Sequence, residues 1–153
     1  MPRDDQALSD MIEQSAAILT AAGMPRMPSR VLMALTVADG GGMTAVELAE
    51  RLGVSAAAIS GAVRYLQGIG IVRRLARAGS RRDSYETPEN MWSSTIAQEQ
   101  PVYRALAAQG EAALVAIDEP ESEASRRLEE MVGFYRFLDR RMPELMAEWE
   151  AQR

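Results

Sequence analysis

Apolar positions recur at helical spacing over most of the chain, and the period shortens only once. Leu8, Met11, Ile12, Ser15, Leu19 and Ala22 mark an amphipathic helix over residues 8–22 that stops near Gly23. Pro25 and Pro28 break the chain. Ser29 is expected to cap a short helix carrying Val31, Leu32, Leu35 and Ala38, ended by Gly40-Gly41-Gly42. Thr44-Ala-Val-Glu47 has the form of a capping box, in which hydroxyl and carboxylate satisfy each other's free backbone amides. The helix it opens carries Leu48, Ala49 and Leu52 and closes at Gly53. Val54 follows, and Ser55 then caps a helix with Ile59, Ala62, Val63 and Leu66 on one face, ended by Gly68 and Gly70.

From Ile71 the pattern is that of strands. Ile71-Val-Arg-Arg-Leu-Ala-Arg77 and Asp83-Ser-Tyr-Glu-Thr87 read as a β-hairpin around the tip Ala78-Gly79-Ser80-Arg81-Arg82. Thr87-Pro88 suits a helix start, a cap followed by proline in the first turn. Trp92, Ile96, Tyr103, Leu106, Leu114 and Ile117 then recur along a stretch that Pro101 should kink. After Glu119-Pro120, Leu128, Met131, Tyr135, Leu138, Met142, Leu145 and Trp149 alternate spacings of three and four residues. That is the seam of a helix packed on another helix, with a kink expected at Pro143.

Composition narrows the chemistry. The 153 residues suit one compact domain, or a small domain with a helical appendage. With 47% apolar and 25% charged residues the chain reads as folded. All 17 basic residues are arginine, and there is no cysteine or histidine. This excludes disulfides, zinc sites of the usual ligand type, thiol redox sensing and histidine acid–base catalysis. No metal or cofactor is expected. No apolar run approaches the roughly 18 residues of a membrane span, and Met1 to Asp5 offers no signal-peptide core, so a cytoplasmic place is expected. The net charge of -5 conceals an uneven distribution. Residues 51–87 hold seven arginines against Asp83 and Glu86, whereas both flanks are acidic. Such a segment is either a solvated arginine-rich loop or a footprint for a polyanion.

Order decides between them. In residues 45–64 the small Ala49 lets two helices approach, Gly53 permits the turn, and Leu48, Leu52, Val54, Ile59 and Ala62 bury the shared face. Any two-helix hairpin shares some of these features. An arginine-rich β-hairpin directly after it makes the pattern a winged helix-turn-helix. With Ile59, Val63 and Leu66 facing inward, Ala56, Ala57, Ser60, Gly61 and Arg64 face outward, toward a major groove. Arg64 suits either a bidentate contact to a guanine edge or a phosphate, and Ala56 or Ala57 a thymine methyl. The alanines are equally explained by helix propensity. Arg81 and Arg82 sit at a tip able to enter a minor groove. Arg74 is a weaker candidate on the strand, where Arg73, Arg74 and Arg77 cannot all reach DNA. Asp83 is expected to pair with a neighbouring arginine and orient it. Thr44 and Ser55 are candidates for phosphate contacts as well as caps.

The run Thr44-Ala-Val-Glu-Leu-Ala-Glu-Arg-Leu-Gly-Val-Ser55, then Ile59-Ser-Gly-Ala-Val-Arg-Tyr-Leu66, Gly70-Ile-Val-Arg-Arg74 and Gly79-Ser-Arg-Arg-Asp83, resembles the MarR superfamily. The wing tip with Met91-Trp92 after it most resembles the GbsR-like branch. The resemblance implies a mainly α fold with a small β-hairpin wing, in which a winged helix-turn-helix is joined to a helical dimerisation region. It also implies a homodimer with interlocked terminal helices and a transcriptional repressor released by a small-molecule effector. The expected divisions are residues 1–28 for an N-terminal helix of the dimerisation region, 29–87 for the DNA-binding domain and 88–153 for a kinked linker helix and dimerisation. Leu8, Met11, Ile12, Leu128, Met131, Tyr135, Leu138, Met142, Leu145 and Trp149 are the candidate dimer contacts.

Trp92, Tyr103, Phe134 and Tyr135, with Phe137 nearby, are the candidate effector pocket, since aromatic faces attract organic cations. Aromatic residues at helical spacing are also ordinary core. The expected partners are a pseudo-palindromic duplex DNA, a second copy of the chain and an unidentified small molecule, with no membrane. An enzyme is disfavoured. Asp118, Glu119, Glu121 and Glu123 cluster at a helix junction, where acids favour helix starts and water, and Gly40-Gly41-Gly42 lacks the lysine of a phosphate loop. The alternative is a helical adaptor that keeps the winged fold without reading DNA.

Overall fold

In a computed structural model, which describes residues 4–40, 42–76, 79, 81–97 and 99–153, the chain forms two units. The first ends at Met91 and the second runs from Trp92 to Arg153. Of the expected hairpin, Arg77, Ala78 and Ser80 lie outside the described residues.

The first unit is built on α2. Helix α1 (Asp5–Ala21) starts at Asp4, whose carboxylate accepts from the Ala7 amide at 3.0 Å. Helix α2 (Arg26–Thr36) starts three residues before Ser29, the cap expected from the sequence. Pro28 is accommodated because first-turn amides have no intrahelical partner. Ser29 is instead buried inside the helix, and its hydroxyl donates to the Pro25 carbonyl at 2.9 Å. Val31, Leu32, Met33, Ala34 and Leu35 are all buried, so α2 is covered on several sides at once. Around it pack α1, α3 (Ala45–Leu52) and α4 (Ala56–Gly68). Ile12 is 1% exposed in this core, which corrects its assignment to a dimer surface: its side chain is already spent inside its own unit. Leu8 is half-buried, and Met11 is half-buried against the same core.

Three short strands complete the unit. β1 (Met43–Thr44), β2 (Arg73–Leu75) and β3 (Ser84–Glu86) form an antiparallel sheet in the order β1-β3-β2. The hairpin is shorter than its sequence pattern, because Ile71 and Val72 are buried in the core instead of entering the sheet. The edge strand β1 has no sequence pattern of its own. Met43 pairs with Tyr85 and Thr44 with Ser84.

In the second unit, α5 (Met91–Ala97) and α6 (Gln100–Ile117) are separate helices, where the sequence leads one to expect a single kinked helix. Pro101 falls in the first turn of α6, where its missing amide costs nothing. Met91, which opens α5, belongs to the core of the first unit; its amide donates to the Pro88 carbonyl, so the helix starts three residues after that proline. Helix α7 (Glu123–Ala151) runs unbroken through Pro143.

Helices α6 and α7 form an antiparallel hairpin. Ala107 and Gly110 are buried at its centre, and a Cβ on Gly110 would lie 2.5 Å from a Val132 methyl. Arg136 makes a bidentate pair with Glu111 at 2.8 and 3.0 Å, and Arg104 donates to Asp139 at 2.7 Å. The Tyr103 and Tyr135 rings stack at 5.8 Å. The regular seam of α7 is therefore largely used within the chain: Met131 and Tyr135 reach α6, and Leu128, Leu138 and Met142 are half-buried on the same stripe. Among the described residues no helix is long and apolar enough to cross a membrane.

Two outcomes follow from this hairpin. Gly110→Val should lower stability by about 2–3 kcal/mol in thermal unfolding, since a β-branched neighbour cannot swing aside for the added atoms. The Arg136 hydrogen bonds hold the Glu111 carboxyl below its ordinary range. Its stabilising contribution is thus present above the unfolded carboxyl pKa and lost as pH falls through the lower folded value. The melting difference between the native chain and Glu111→Gln should be present at pH 7, shrink below about pH 4, and shrink with added salt.

Candidate nucleic-acid interface

The helix pair is set by three local devices. Thr44 Oγ1 accepts from the Glu47 amide at 3.2 Å while the Thr44 amide donates to Glu47 Oε2 at 2.7 Å, closing the capping box on α3. Gly53 ends α3 in the left-handed region at φ 63°, and the Val54 amide donates back to the Ala49 carbonyl. Ser55 Oγ then accepts from the Ala58 amide at 3.2 Å and starts α4.

Helix α4 buries Ile59, Ala62, Val63 and Leu66. Rotating it would return Ile59 and Leu66 to water at about 1.5–3 kcal/mol each, so its outward face is fixed. That face carries Ser55, Ala56, Ala57, Ser60, Gly61 and Arg64, all exposed. Tyr65, 40% exposed, joins them. The sequence pattern does not single it out, although it stands four residues after Gly61 and eight after Ala57, the spacing of one helical face.

The two helix N-termini differ. In α3 the Glu47 carboxylate already answers the free amides, which repels a further anion and makes Thr44 a cap more than a phosphate donor. The first turn of α4 carries no acid, so its positive end stays open to solvent.

The wing arginines also divide. Arg74 Nε lies 2.9 Å from Asp83 Oδ1, and Arg73 Nε donates to Glu86 at 2.6 Å. Arg81 and Arg82 are exposed, and Arg64 and Arg81 have no ion-pair partner among the described residues. β1 brings the wing to the start of α3, where Thr44, Ala45, Val46, Arg82, Asp83 and Tyr85 line a recess of about 230 Å³. The unit thus presents an outward helix face of small side chains around one arginine, with further arginines on the adjoining hairpin. Among the described residues no group of histidine, cysteine or acidic side chains is placed to hold a metal ion.

The expected aromatic pocket is not assembled. Tyr103, Phe134 and Tyr135 cluster, with Phe134 and Tyr135 centroids 5.7 Å apart. Trp92 instead lines a recess with Leu145 and Trp149, ten or more residues and so about 15 Å or more along α7 from Tyr135.

Comparison with known proteins points to a family of transcriptional regulators. A model of the MarR family matches residues 22–83, and a model of MmpR5-like MarR family transcriptional regulators matches residues 90–152. The chain is 28% identical over 132 residues to the HTH-type transcriptional regulator MmpR5 of Mycobacterium tuberculosis, spanning 86% of this chain and 80% of that one. It is 27% identical over 155 residues to the putative HTH-type transcriptional regulator YvaV of Bacillus subtilis, spanning 89% and 85%. A crystal structure of a transcriptional regulator superposes with a TM-score of 0.80 at 25% identity, over 96% of this chain and 99% of that one.

Arg30 holds the helix pair from behind. It forms a bidentate pair with Glu13 of α1, Nη2 donating to Oε1 at 2.6 Å and Nε to Oε2 at 3.0 Å, and donates to the Leu52 carbonyl at the end of α3 at 2.9 Å. Arg30→Met should therefore destabilise the unit by about 2 kcal/mol, measured by denaturant unfolding, because it leaves that carbonyl and carboxylate without their donor.

Proposed function

We propose that the chain is a DNA-binding transcriptional regulator of the MarR family, a homodimeric repressor that grips a pseudo-palindromic operator and leaves it when a small effector binds. The observation that carries the DNA contact is Arg64, exposed and unpaired among the described residues, on a helix face otherwise made of alanine, serine and glycine. Small neighbours let α4 seat deeply, so Arg64 reaches a base edge while Ser55 and the open amides of α4 meet phosphate. Arg81 and Arg82 enter the adjoining minor groove. Arg74, oriented by Asp83, contributes less.

Members of the family act as dimers. A second copy is supported here by the large apolar side chains that the second unit leaves in water. Val102, Leu106, Phe134 and Phe137 are 37 to 55% exposed, more than a chain working alone keeps uncovered. Two-fold symmetry then sets half-sites about 34–36 Å apart. A cytoplasmic place follows from that work. The wing tip and Met91-Trp92 also support kinship with the GbsR-like branch.

The test is binding to the DNA upstream of its own gene, with competitor DNA and a salt titration. Specific retention that falls steeply with salt is expected, as arginines displace counterions from phosphate. Arg64→Ala should cost about 1–3 kcal/mol and relax base preference at one position per half-site. Replacing both Arg81 and Arg82 by alanine should abolish specific binding, with unaltered affinity overturning the wing assignment. Binding no tighter than to competitor, there and in a selection from genomic fragments, would favour the adaptor.

A further inference from the structure

We infer that two copies of the chain pack through the side of α7 turned away from α6, antiparallel and centred level with Tyr135, so that Phe137 seats over the partner's Gly133 and the reverse. This rests on the dimer part of the function proposed above and supplies its contact face and register.

Two glycines lie within the helical hairpin, and its packing explains one of them. Gly110 is buried, and Val132 leaves no room for a Cβ there. Gly133 is exposed in the middle of α7, and a Cβ on it would meet nothing within 4 Å. A glycine weakens a helix interior relative to alanine, and no part of its own unit needs this space. At about 100° per residue, Gly133 stands about 200° from both Met131 and Tyr135, which reach α6. It therefore lies on the side opposite that helix. Arg126, Glu129, Glu130, Phe137, Arg140 and Glu144 lie within about 60° of it and are all exposed, with Arg141 at the margin. Phe137, one turn beyond the hollow, is 50% exposed.

Charge sets the partner and the direction. Along this side the order is Arg126, Glu129-Glu130, Gly133, Phe137, Arg140-Arg141, Glu144. Arg126, Glu129, Glu130 and Arg140 have no ion-pair partner among the described residues, and Arg141 pairs with Glu144 one turn on. Read from the other end, the same order returns with every sign exchanged. Such a face is complementary to itself turned end for end, which selects a second copy over an unrelated protein. About a two-fold axis level with Tyr135, positions equally far before and after it meet. Gly133 then faces the partner's Phe137, Glu129 and Glu130 lie level with the partner's Arg141 and the partner's Arg140, and Arg126 lies level with the partner's Glu144. Symmetry repeats every contact, over about 27 Å of α7. A parallel pair would instead set Glu129, Glu130 and Arg140 against their own copies, where like charges repel.

Sedimentation of the full chain across a concentration series reads the dimer. Gly133→Leu should weaken dimerisation about tenfold or more, because the added side chain fills the hollow. The dilute variant should melt no lower than the native chain, since that side chain meets nothing in its own unit. Replacing Glu129 and Glu130 by arginine makes the face mainly basic, and replacing Arg140 and Arg141 by glutamate makes it mainly acidic. Each of these variants alone should lose the dimer, and an equimolar mixture of the two should form heterodimers. The chain has no cysteine, so disulfide capture reads the register directly. Glu130→Cys combined with Arg140→Cys should give linked dimers on mild oxidation, and either change alone should give none. Linkage of a single variant, or none of the combined one, overturns the register. A dimer that survives Gly133→Leu and both charge variants overturns this face and leaves the dimer reading standing. A native chain that stays monomeric at every concentration overturns the dimer reading and the face together.

Discussion

The place of the wing beside the start of α3 depends on one close approach. Gly42 sits at φ 70°, and a Cβ there would lie 2.1 Å from the Tyr85 carbonyl oxygen, so no side chain fits. Because the backbone can come this near, Met43 and Thr44 pair with β3 before Thr44 turns to cap α3. The same two residues therefore end the sheet and start the helix pair. That pairing ties the wing to the start of α3, beside the packing of β3 on α2 and of Tyr85 on the core. Arg30 does the corresponding work on the opposite side, tying α1 and the end of α3 to α2.

The central basic segment is consequently less free than its charge suggests. Arg51 lies 3.6 Å from Asp5, Arg73 is paired with Glu86 and Arg74 with Asp83. These arginines brace elements against one another. Arg64 and Arg81, exposed and without an ion-pair partner among the described residues, stand on different elements of one unit. On the proposed reading, two separated contacts discriminate a shaped duplex better than one diffuse basic patch, since both must be met in one register.

Elements governed by local rules are legible in the amino-acid sequence itself. The capping box at Thr44, the glycine turn at Gly53, the Ser55 cap and the buried stripe of α4 depend on neighbours within one or two turns. So the outward set from Ala56 to Arg64 can be read directly. What escapes the sequence depends on distant partners. β1 is two residues long and exists only because β3 is beside it. Ser29 has the chemistry of a cap but lies inside α2, where burial of Val31, Leu32 and Leu35 outweighs its preference for a helix start. Pro101 reads as a kink, yet a first-turn position absorbs it at no cost. Tyr65 is easily overlooked because aromatic character suggests core, while its spacing from Gly61 places it outside.

The seam on α7 shows where periodicity stops being informative. Its spacing of three and four residues holds from Leu128 to Trp149 without a change of pattern. Its burial changes at the middle: Met131 and Tyr135 pack on α6, whereas Leu145 and Trp149 are half-exposed beside α5. A repeat states that a face is apolar and cannot state what covers it. The cover is decided by the length of α6, which ends its overlap near Pro143, a residue that also removes one backbone hydrogen bond from α7 at the junction. The same stripe thus closes a hairpin over its first half and walls a cavity over its second, and the difference lies in the neighbouring helix.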